Sequence, residues 1–270
     1  MHAASLAPFA VCGYNVSMAK SESRPYAPAP GEVASEARRA GFKLTPAQTE
    51  SLSRYLTLLL KWNRAMNLVG RAGWPDVFRD LAADSLHLAA FLPRLPLPAA
   101  PLSLDLGAGA GLPGIPLRVL WDAGDYVLVE LREKRAVFLA QAAAALKLPR
   151  TRAWRGRAEN ALAGLAELGL GGCEADRRDA DGRADLVLSR AFMPWPKLLP
   201  LAAELLAGGG VLVILANEAP PEAGEFASAG FTLADSQSYP SGARTRYFWA
   251  LTKEPSTPPL KMSLVASSSA

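Results

Sequence analysis

Four glycines are the residues of this sequence whose types and spacing point most directly to chemistry. In LDLGAGAGLPGIPL, which follows a proline-rich joint, Gly107, Gly109 and Gly111 form a G-x-G-x-G pattern directly after an apolar run. Gly109, Gly111 and Gly114 also form G-x-G-x-x-G. The first pattern is typical of S-adenosylmethionine enzymes, and the second of dinucleotide enzymes that hold a pyrophosphate on backbone N–H groups. Both patterns predict a nucleotide-like cofactor.

Two prolines and one acid bear on the choice between these cofactors. Pro113 and Pro116 lack an N–H in the turn where a pyrophosphate would need donors, which disfavours a dinucleotide. Glu130 ends the apolar run YVLVE, where an acid accepts hydrogen bonds from ribose hydroxyls in either class. An NAD oxidoreductase is the weakest alternative, because no Tyr-x-x-x-Lys pair or obvious catalytic histidine accompanies the loop.

If the cofactor is S-adenosylmethionine, the motifs that are missing limit the atom that is methylated. SRAFMPWP, after the predicted fourth strand, lacks the Asn-Pro-Pro-aromatic arrangement used to methylate amino groups of bases. Neither Cys12 nor Cys173 lies on a strand-end loop of the kind that methylation of pyrimidine carbon 5 requires. N7 of guanine has an exposed lone pair and needs no activation, so approach and alignment would suffice.

The elements that must position these residues alternate along the second half of the chain. Apolar runs predict strands at 102–106, 126–130, 151–154, 184–189 and 210–215, with helices near 114–122, 132–147, 158–168 and 196–206. FTLADSQSY and TRYFWALTK, joined by PSGAR, predict an antiparallel hairpin at one sheet edge. Apolar strands separated by helices favour an α/β fold with a parallel sheet covered on both faces.

Helices are also predicted before the sheet. Thr45 as N-cap, Pro46 in the first helical position and Gln48 form a capping box. The apolar face of this helix is predicted from four residues at helical spacing: Leu52, Tyr55, Leu56 and Leu59. A second helix is predicted over residues 76–91. Basic residues outnumber acids between residues 36 and 71, and four arginines surround Trp154. Either cluster could be a solvated surface, but both suit a polyanionic partner.

Composition excludes several classes of protein. The apolar stretches are shorter than the roughly 20 residues that a membrane helix needs. The two cysteines lie far apart in the sequence, which argues against a disulfide scaffold or a zinc cluster. We therefore expect a cytoplasmic protein without a metal or a membrane partner.

Six segments resemble one family in order and approximate spacing. They are YLTLLLKWNRAMNLVG, ADSL, LDLGAGAGLPGIPL, EKRAVFL, GRAEN and LSRAF, and the resemblance to the glucose-inhibited division protein B (RsmG) family covers roughly residues 44–253. It implies a Rossmann-like class I methyltransferase, with a mostly parallel seven-stranded sheet and an N-terminal helical extension. It also implies S-adenosylmethionine as cofactor, and N7 of a guanine in 16S ribosomal RNA, or in the 30S subunit, as acceptor.

The resemblance implies roles for individual residues. Those near the cofactor would be Gly107, Gly109, Gly111 and Leu112 in the glycine loop, Glu130 at the ribose, and Ala158 and Glu159 beside the adenine. Arg190 would lie beside the methionine end or the substrate base as a positioning residue, with no general base. Structural alternatives exist: Glu159 could favour the start of its helix, Arg190 could form a surface ion pair, Trp62 and Asn63 could cap and pack the first helix, and Asn67 and Asp84 could hold the extension against the core.

The sequence departs from the family pattern at positions expected near RNA. Asp80 and Leu81 stand where the family has Arg and His, and Ala216 and Asn217 stand where it has Lys-Gly after the fifth strand. These departures affect the RNA half of the site and not the cofactor half. Two alternatives therefore stay open: a diverged methyltransferase acting on another RNA or a small molecule, and a non-catalytic ribosome-binding protein that keeps the fold.

The sequence predicts a division of the chain into four parts. We expect a disordered segment at 1–40, the helical extension at 41–98, the methyltransferase domain at 99–254 and a disordered tail at 255–270. Translation is expected to begin at Met18, and residues 169–183 resemble an insertion. The expected state is a monomer.

Overall fold

A seven-stranded sheet forms the centre of the protein. The computed structural model describes residues 27–70, 73–170, 182–241 and 244–254. The strands are β1 (Leu102–Leu106), β2 (Asp125–Glu130), β3 (Thr151–Arg155), β4 (Ala184–Arg190), β5 (Leu206–Ala216), β6 (Phe231–Ser241) and β7 (Arg244–Lys253). Their order is β3-β2-β1-β4-β5-β7-β6, with β1 to β5 parallel and β7 antiparallel to both of its neighbours. The predicted fold class and the terminal hairpin are confirmed.

Helices cover both faces of this sheet because its strands are apolar on both sides. The helices after β1 are α5 (Gly114–Leu120), α6 (Glu133–Ala145), α7 (Ala161–Glu167), α8 (Trp195–Leu205) and α9 (Gly224–Ala227). In β4, Leu186 and Leu188 belong to a core cluster that includes α5 and α6, whereas Val187 belongs to a second cluster with α7, α8 and α9. This alternation follows from the two-residue period of a strand.

The helical extension packs on the α5 and α6 side of the sheet. It consists of α1 (Pro30–Arg39), α2 (Pro46–Met66), α3 (Trp74–Val77), a π-helical turn (Phe78–Ala82), α4 (Ala83–Phe91) and a 3₁₀ turn (Leu92–Arg94). The predicted capping box is confirmed, since Thr45 Oγ1 accepts the Gln48 N–H at 3.2 Å and Gln48 Oε1 accepts the Thr45 N–H at 2.9 Å. The helix predicted over 76–91 begins at Trp74 and contains the π-helical turn.

The predicted disorder of residues 1–40 is wrong from Pro30 to Arg39, which form α1. Val33 and Ala37, four residues apart, are fully buried, and Glu36 between them is also buried. An Ala- and Pro-rich composition therefore concealed a helix with one apolar face. Residues 1–26, Met18, most of the 169–183 segment, both cysteines and the 255–270 tail lie outside the described residues, so the predictions made for them remain predictions.

The length and apolar character of the helices decide whether any of them could cross a membrane. Among the described residues, no helix combines the length and the apolar character needed to cross a bilayer.

Candidate cofactor and substrate site

The predicted site residues meet at the carboxyl edge of the parallel strands. Leu106, which precedes Gly107, pairs with Val129 of β2 and with Ser189 of β4. The glycine loop, Glu130 and Arg190 therefore follow three neighbouring strands. Ligands of open α/β sheets bind at this edge.

The glycine loop has a backbone that favours glycine at all three positions of the G-x-G-x-G pattern. Gly107, Gly109 and Gly111 have φ angles of 68°, 56° and 78°. A Cβ at Gly107 would lie 2.5 Å from Phe192 Cδ2, and one at Gly111 would lie 2.5 Å from Ile115 Cγ1. Left-handed backbone and close neighbours together explain the pattern.

The start of α5 is not built to hold a pyrophosphate. The Gly114 N–H donates to the Asp105 carboxylate, and the Ile115 N–H donates to Gly111 O at 2.7 Å. Pro116 has no N–H. A Cβ at Gly114 would collide with Asp105 Oδ2 and lie 2.6 Å from Leu128 Cδ2, so Gly114 serves close packing. These contacts favour the first glycine pattern over the dinucleotide pattern.

Glu130 holds the glycine loop in place. Its carboxylate is buried; Oε2 accepts the Gly109 N–H at 3.0 Å and Oε1 accepts the Arg132 N–H at 2.8 Å. The next residue, Leu131, is 54% exposed, and the other exposed large apolar side chain among the described residues is Val137, at 46%. Leu131 was not predicted as a site residue from the sequence, although its position directly after Glu130 could have indicated one.

The other predicted cofactor residues occupy different environments. Ala158 is buried and Glu159 exposed in a 3₁₀ turn (Ala158–Asn160) that follows β3, the strand paired with β2. Leu112 is buried in the core cluster on the extension side of the sheet. Whether these three residues contact a cofactor remains a prediction.

Arg190 forms a buried ion pair and not the surface pair considered as its structural alternative. Arg190 Nη2 and Arg246 Nη1 each lie 2.9 Å from Asp84 Oδ2, and Asp84 is fully buried. Burial raises the pKa of Asp84, against the opposing effect of the two guanidinium groups. Since Asp84 belongs to α4, the alternative that it holds the extension against the core is confirmed. The sequence reading missed Arg246.

Two hydroxyl groups of the extension support the glycine loop from behind. The Tyr55 hydroxyl of α2 donates to Ala110 O at 2.8 Å, and the Ser85 hydroxyl of α4 donates to Pro113 O at 2.9 Å. The sequence reading placed Tyr55 on the apolar face of its helix and missed this bond. Both segments carry the family resemblance, and both contact the loop.

Trp62 and Asn63 of α2 have structural roles. Asn63 Nδ2 donates to Gly70 O at 2.6 Å, and Asn63 Oδ1 accepts the Val69 N–H at 2.9 Å. Trp62 packs edge-on against Phe138 of α6, with ring centroids 5.8 Å apart. The alternative that these two residues cap and pack the helix is confirmed.

A third buried carboxyl, that of Asp105, lies beneath the glycine loop. Asp105 Oδ2 accepts the Tyr126 hydroxyl hydrogen bond at 3.2 Å, and burial raises the pKa of Asp105 to about 7. Unlike Asp84, Asp105 is paired with a hydroxyl group and a backbone N–H instead of with cations.

The arginine cluster around Trp154 is partly occupied by intramolecular contacts. Arg152 donates to Leu168 O at 2.8 Å, and Arg155 pairs with Glu133 at 3.3 Å. The Trp154 indole N–H donates to a Glu167 carboxylate oxygen at 2.9 Å, and Gly164 packs against the ring. Trp154 is therefore a packing residue.

Ala216, which stands where the family resemblance implies a lysine, lies next to β7. Ala216, at the end of β5, pairs with Tyr247, the neighbour of Arg246. Within the described ranges, no group of three or more His, Cys, Asp or Glu side chains could hold a metal ion.

Comparison with known proteins gives one consistent family. The family model GidB, described as rRNA small subunit methyltransferase G, matches residues 48–240. Ribosomal RNA small subunit methyltransferase G of Nitratidesulfovibrio vulgaris strain DP4 is 46% identical over 82% of this chain and 92% of its own length. The protein of the same name from Lawsonia intracellularis is 41% identical over 82% of this chain and 94% of its own. That from Oleidesulfovibrio alaskensis is 39% identical over 79% and 90%.

Proposed function

Because the chain belongs to the GidB family of rRNA small subunit methyltransferases G, we propose that it methylates N7 of a guanine in 16S ribosomal RNA. It is an S-adenosylmethionine-dependent methyltransferase of small-subunit ribosomal RNA. The observation that carries the proposal is the strand-end site in which Glu130 fixes a left-handed glycine loop, with Arg190 at the next strand.

The residues at the cofactor side fit S-adenosylmethionine. The glycine loop lets a ligand approach the backbone closely, and Glu130 can accept ribose hydroxyl hydrogen bonds while it holds Gly109. The exposed Leu131 would pack against the adenine of the cofactor, and Ala158 and Glu159 would lie beside it. When bound, S-adenosylmethionine supplies an electrophilic methyl group on a sulfonium.

The remaining residues would orient the acceptor. Guanine N7 carries an exposed lone pair and loses no proton, so the site needs no general base. Arg190 can position the base or the methionine end, and Phe192 lies beside Gly107 at the same edge. Holding the lone pair in line with the methyl group supplies the rate enhancement. We also propose that the protein works as a cytoplasmic monomer without a metal.

A direct transfer experiment tests the proposed function. Purified protein is given radiolabelled S-adenosylmethionine with 16S RNA or 30S particles from a strain that lacks this methylation. We expect label at one guanine, and chain cleavage there after borohydride and aniline treatment, which is diagnostic of 7-methylguanosine. Absence of label from guanine N7 contradicts the proposal.

A different acceptor is the second candidate, and Ala216 is the observation that favours it, because no lysine stands at the end of β5. The same experiment separates the two. Label in another RNA or in a small molecule, with none in 16S RNA, supports the diverged enzyme. No binding of S-adenosylmethionine in calorimetry supports the non-catalytic alternative instead.

A further inference from the structure

Two arginines share one buried carboxylate on the β4 and β7 side of the strand edge. Arg190 and Arg246 each place one guanidinium nitrogen 2.9 Å from Asp84 Oδ2. Arginine stays charged in proteins, so two positive charges face one negative charge. Asp105, whose charge also reaches Arg190, has its pKa raised to about 7 by burial and adds little negative charge below neutral pH. Among the residues that the structure describes, one positive charge of the cluster is left uncompensated.

The cluster lies where an acceptor would have to approach. Arg190 ends β4 and pairs with Leu215 of β5, while Arg246 precedes Tyr247, which pairs with Ala216. Both arginines therefore lie at the carboxyl end of β5. They are next to Ala216, where the family resemblance implies a lysine. Their side chains are 13% and 16% exposed, so each retains access to solvent.

The chemistry of the reactants decides which anion fits this charge. A sulfonium cofactor is positive at its reacting centre and offers one carboxylate at its methionine end, whereas RNA carries one negative charge for each phosphate. The planar guanidinium fork matches a phosphate and binds it through paired hydrogen bonds. We propose that Asp84 is a positioning residue that holds Arg190 and Arg246 as a paired binding site for one phosphate of the RNA acceptor. This inference rests on the proposed function.

The extension contributes more to this site than the Asp84 carboxylate. Within the π-helical turn, Leu81 O accepts from Arg190 Nη1 at 3.3 Å and Asp80 O accepts from Arg190 Nη2 at 3.5 Å. The side chains at these two positions differ from the family pattern, but the contacts to Arg190 are made by the backbone. π-Helical turns are frequent at functional sites. The turn and Asp84 together fix the direction of Arg190.

A second carboxylate in the extension provides a matched control. Glu36 is also buried and also shared by two arginines: Arg79 Nη2 lies 2.8 Å from Glu36 Oε1, and Arg39 pairs with the same oxygen. Its arginines extend from α1 and the π-helical turn, with exposures of 70% and 48%, and Glu36 itself lies in α1. Glu36→Gln therefore removes the same kind of charge without a direct contact to Arg190 or Arg246, and it can reach Arg190 only indirectly, through Arg79 of the π-helical turn.

Steady-state kinetics with 30S particles test the inference. We compare the wild-type protein, Asp84→Asn and Glu36→Gln for kcat, for KM toward the particle, and for the Kd of S-adenosylmethionine by calorimetry. Because misdirected arginines lose binding geometry, we expect Asp84→Asn to raise KM for the particle about tenfold. Glu36→Gln should raise KM clearly less than Asp84→Asn does, because it acts on Arg190 only through Arg79, and both variants should keep the Kd of the cofactor within about twofold.

Two further variants keep the test decisive if Asp84→Asn does not fold. Arg246 is partly exposed, so Arg246→Gln and Arg246→Lys leave the Asp84–Arg190 pair in place. In filter binding of 16S RNA, Arg246→Gln should reduce the slope of log K against log salt by about one. Arg246→Lys should keep that slope but bind several-fold more weakly, because lysine lacks the planar fork.

Three outcomes would overturn the inference. Equal kinetics for Asp84→Asn and Glu36→Gln would make Asp84 purely structural. Weaker cofactor binding with an unchanged KM for the particle would assign the arginines to the methionine carboxylate. An unchanged salt slope for Arg246→Gln would remove the phosphate contact. If the wild-type protein methylates no guanine N7, the proposed function fails by itself, whereas the filter-binding comparison still tests the phosphate site.

Discussion

The two halves of the strand edge are held together in different ways. In the cofactor half, at the ends of β1 and β2, the Glu130 carboxylate binds backbone N–H groups of Gly109 and Arg132. In the proposed acceptor half, at the end of β4 and the start of β7, the Asp84 carboxylate binds the side chains of Arg190 and Arg246. One half is shaped by the main chain and the other by charged side chains from distant parts of the sequence.

This difference separates the tasks of the two halves. A backbone cradle suits a cofactor of constant shape, since glycine and a fixed carboxylate leave few side chains to vary. A side-chain charge cluster depends on individual side chains, so single substitutions can change its partners. Changes in the cofactor half should therefore alter cofactor binding, and changes in the acceptor half should alter RNA binding.

The largest expected effect concerns the buried carboxyl of the cofactor half, Asp105, which no cation neutralises directly. Burial raises the pKa of Asp105 from 3.8 to about 7 in the folded protein, so folding favours the protonated form. The contribution of Asp105 to the free energy of unfolding is fully present below about pH 4. It falls by about 4 kcal/mol as the pH rises to about 7. Urea unfolding of wild-type protein and of Asp105→Asn between pH 4 and 8 measures it.

Asp105→Asn should remove this dependence, because the amide does not titrate and its oxygen can still accept a hydrogen bond from Tyr126. The free energy of unfolding of the wild-type protein, minus that of the variant, should fall from pH 4 to 7 and then level. A difference that stays constant with pH would show that Asp105 is not held in its protonated form, and the contrast with the ion-paired Asp84 would be lost.

Glu130→Gln should produce the next largest effect. An amide at this position loses the charge and presents an NH₂ group to one of two backbone donors that the carboxylate binds at 3.0 and 2.8 Å. Losing charge-assisted bonds at the loop and at the ribose should weaken S-adenosylmethionine binding by about 3 kcal/mol, or roughly 100-fold. Calorimetry measures this Kd, and filter binding of 16S RNA should be unchanged.

Glu133→Gln is the matched control for Glu130→Gln. Glu133 is an exposed acid three residues later, paired with Arg155 at 3.3 Å, and its loss should leave cofactor affinity within about twofold because exposed pairs contribute little. Together with Asp84→Asn, these variants test whether cofactor binding and RNA binding can be changed independently. Equal losses of RNA and cofactor binding from Glu130→Gln would show that they do not.

The strand, loop and helix of the proposed cofactor half could be predicted from the sequence for a physical reason. Its glycines, prolines and acid lie within 27 positions of each other, between residues 104 and 130, so strand, loop, helix and acid can be recognised from local pattern. Asp84 and Arg246 are 162 positions apart, and no periodicity connects them. The Tyr55 hydroxyl contact was hidden for a related reason, since an amphipathic pattern assigns a tyrosine to the apolar face without showing where its hydroxyl group ends.

Helix α1 was missed because its pattern is short. Only Val33 and Ala37 mark the apolar face of this 10-residue helix, and Glu36 interrupts that face with a buried charge. The charge is accommodated by Arg39 and Arg79, and Arg79 lies 43 positions away. A buried carboxylate reads as a surface residue until its partners are known.

The smallest expected effect comes from Tyr55→Phe, which removes the hydroxyl bond to Ala110 O at 2.8 Å and keeps the buried ring. One neutral hydrogen bond contributes about 1 kcal/mol, so the free energy of unfolding in urea should fall by about that amount. Ala110 adjoins Gly109, which Glu130 holds from the other side. Tyr55→Phe and Glu130→Gln act on one loop, so their effects on stability should depart from additivity by at least about 0.5 kcal/mol.

Tyr55→Phe and Asp84→Asn share no hydrogen-bond partner, since one acts on Ala110 O and the other on Arg190 and Arg246. Their effects on the free energy of unfolding should therefore add to within about 0.5 kcal/mol. Additivity in this pair, together with coupling between Tyr55→Phe and Glu130→Gln, would show that the extension contacts two energetically separate units. One is the glycine loop and the other is the arginine cluster. The reverse result would mean that the extension transmits strain from the arginine cluster to the glycine loop, and the edge would then behave as one unit.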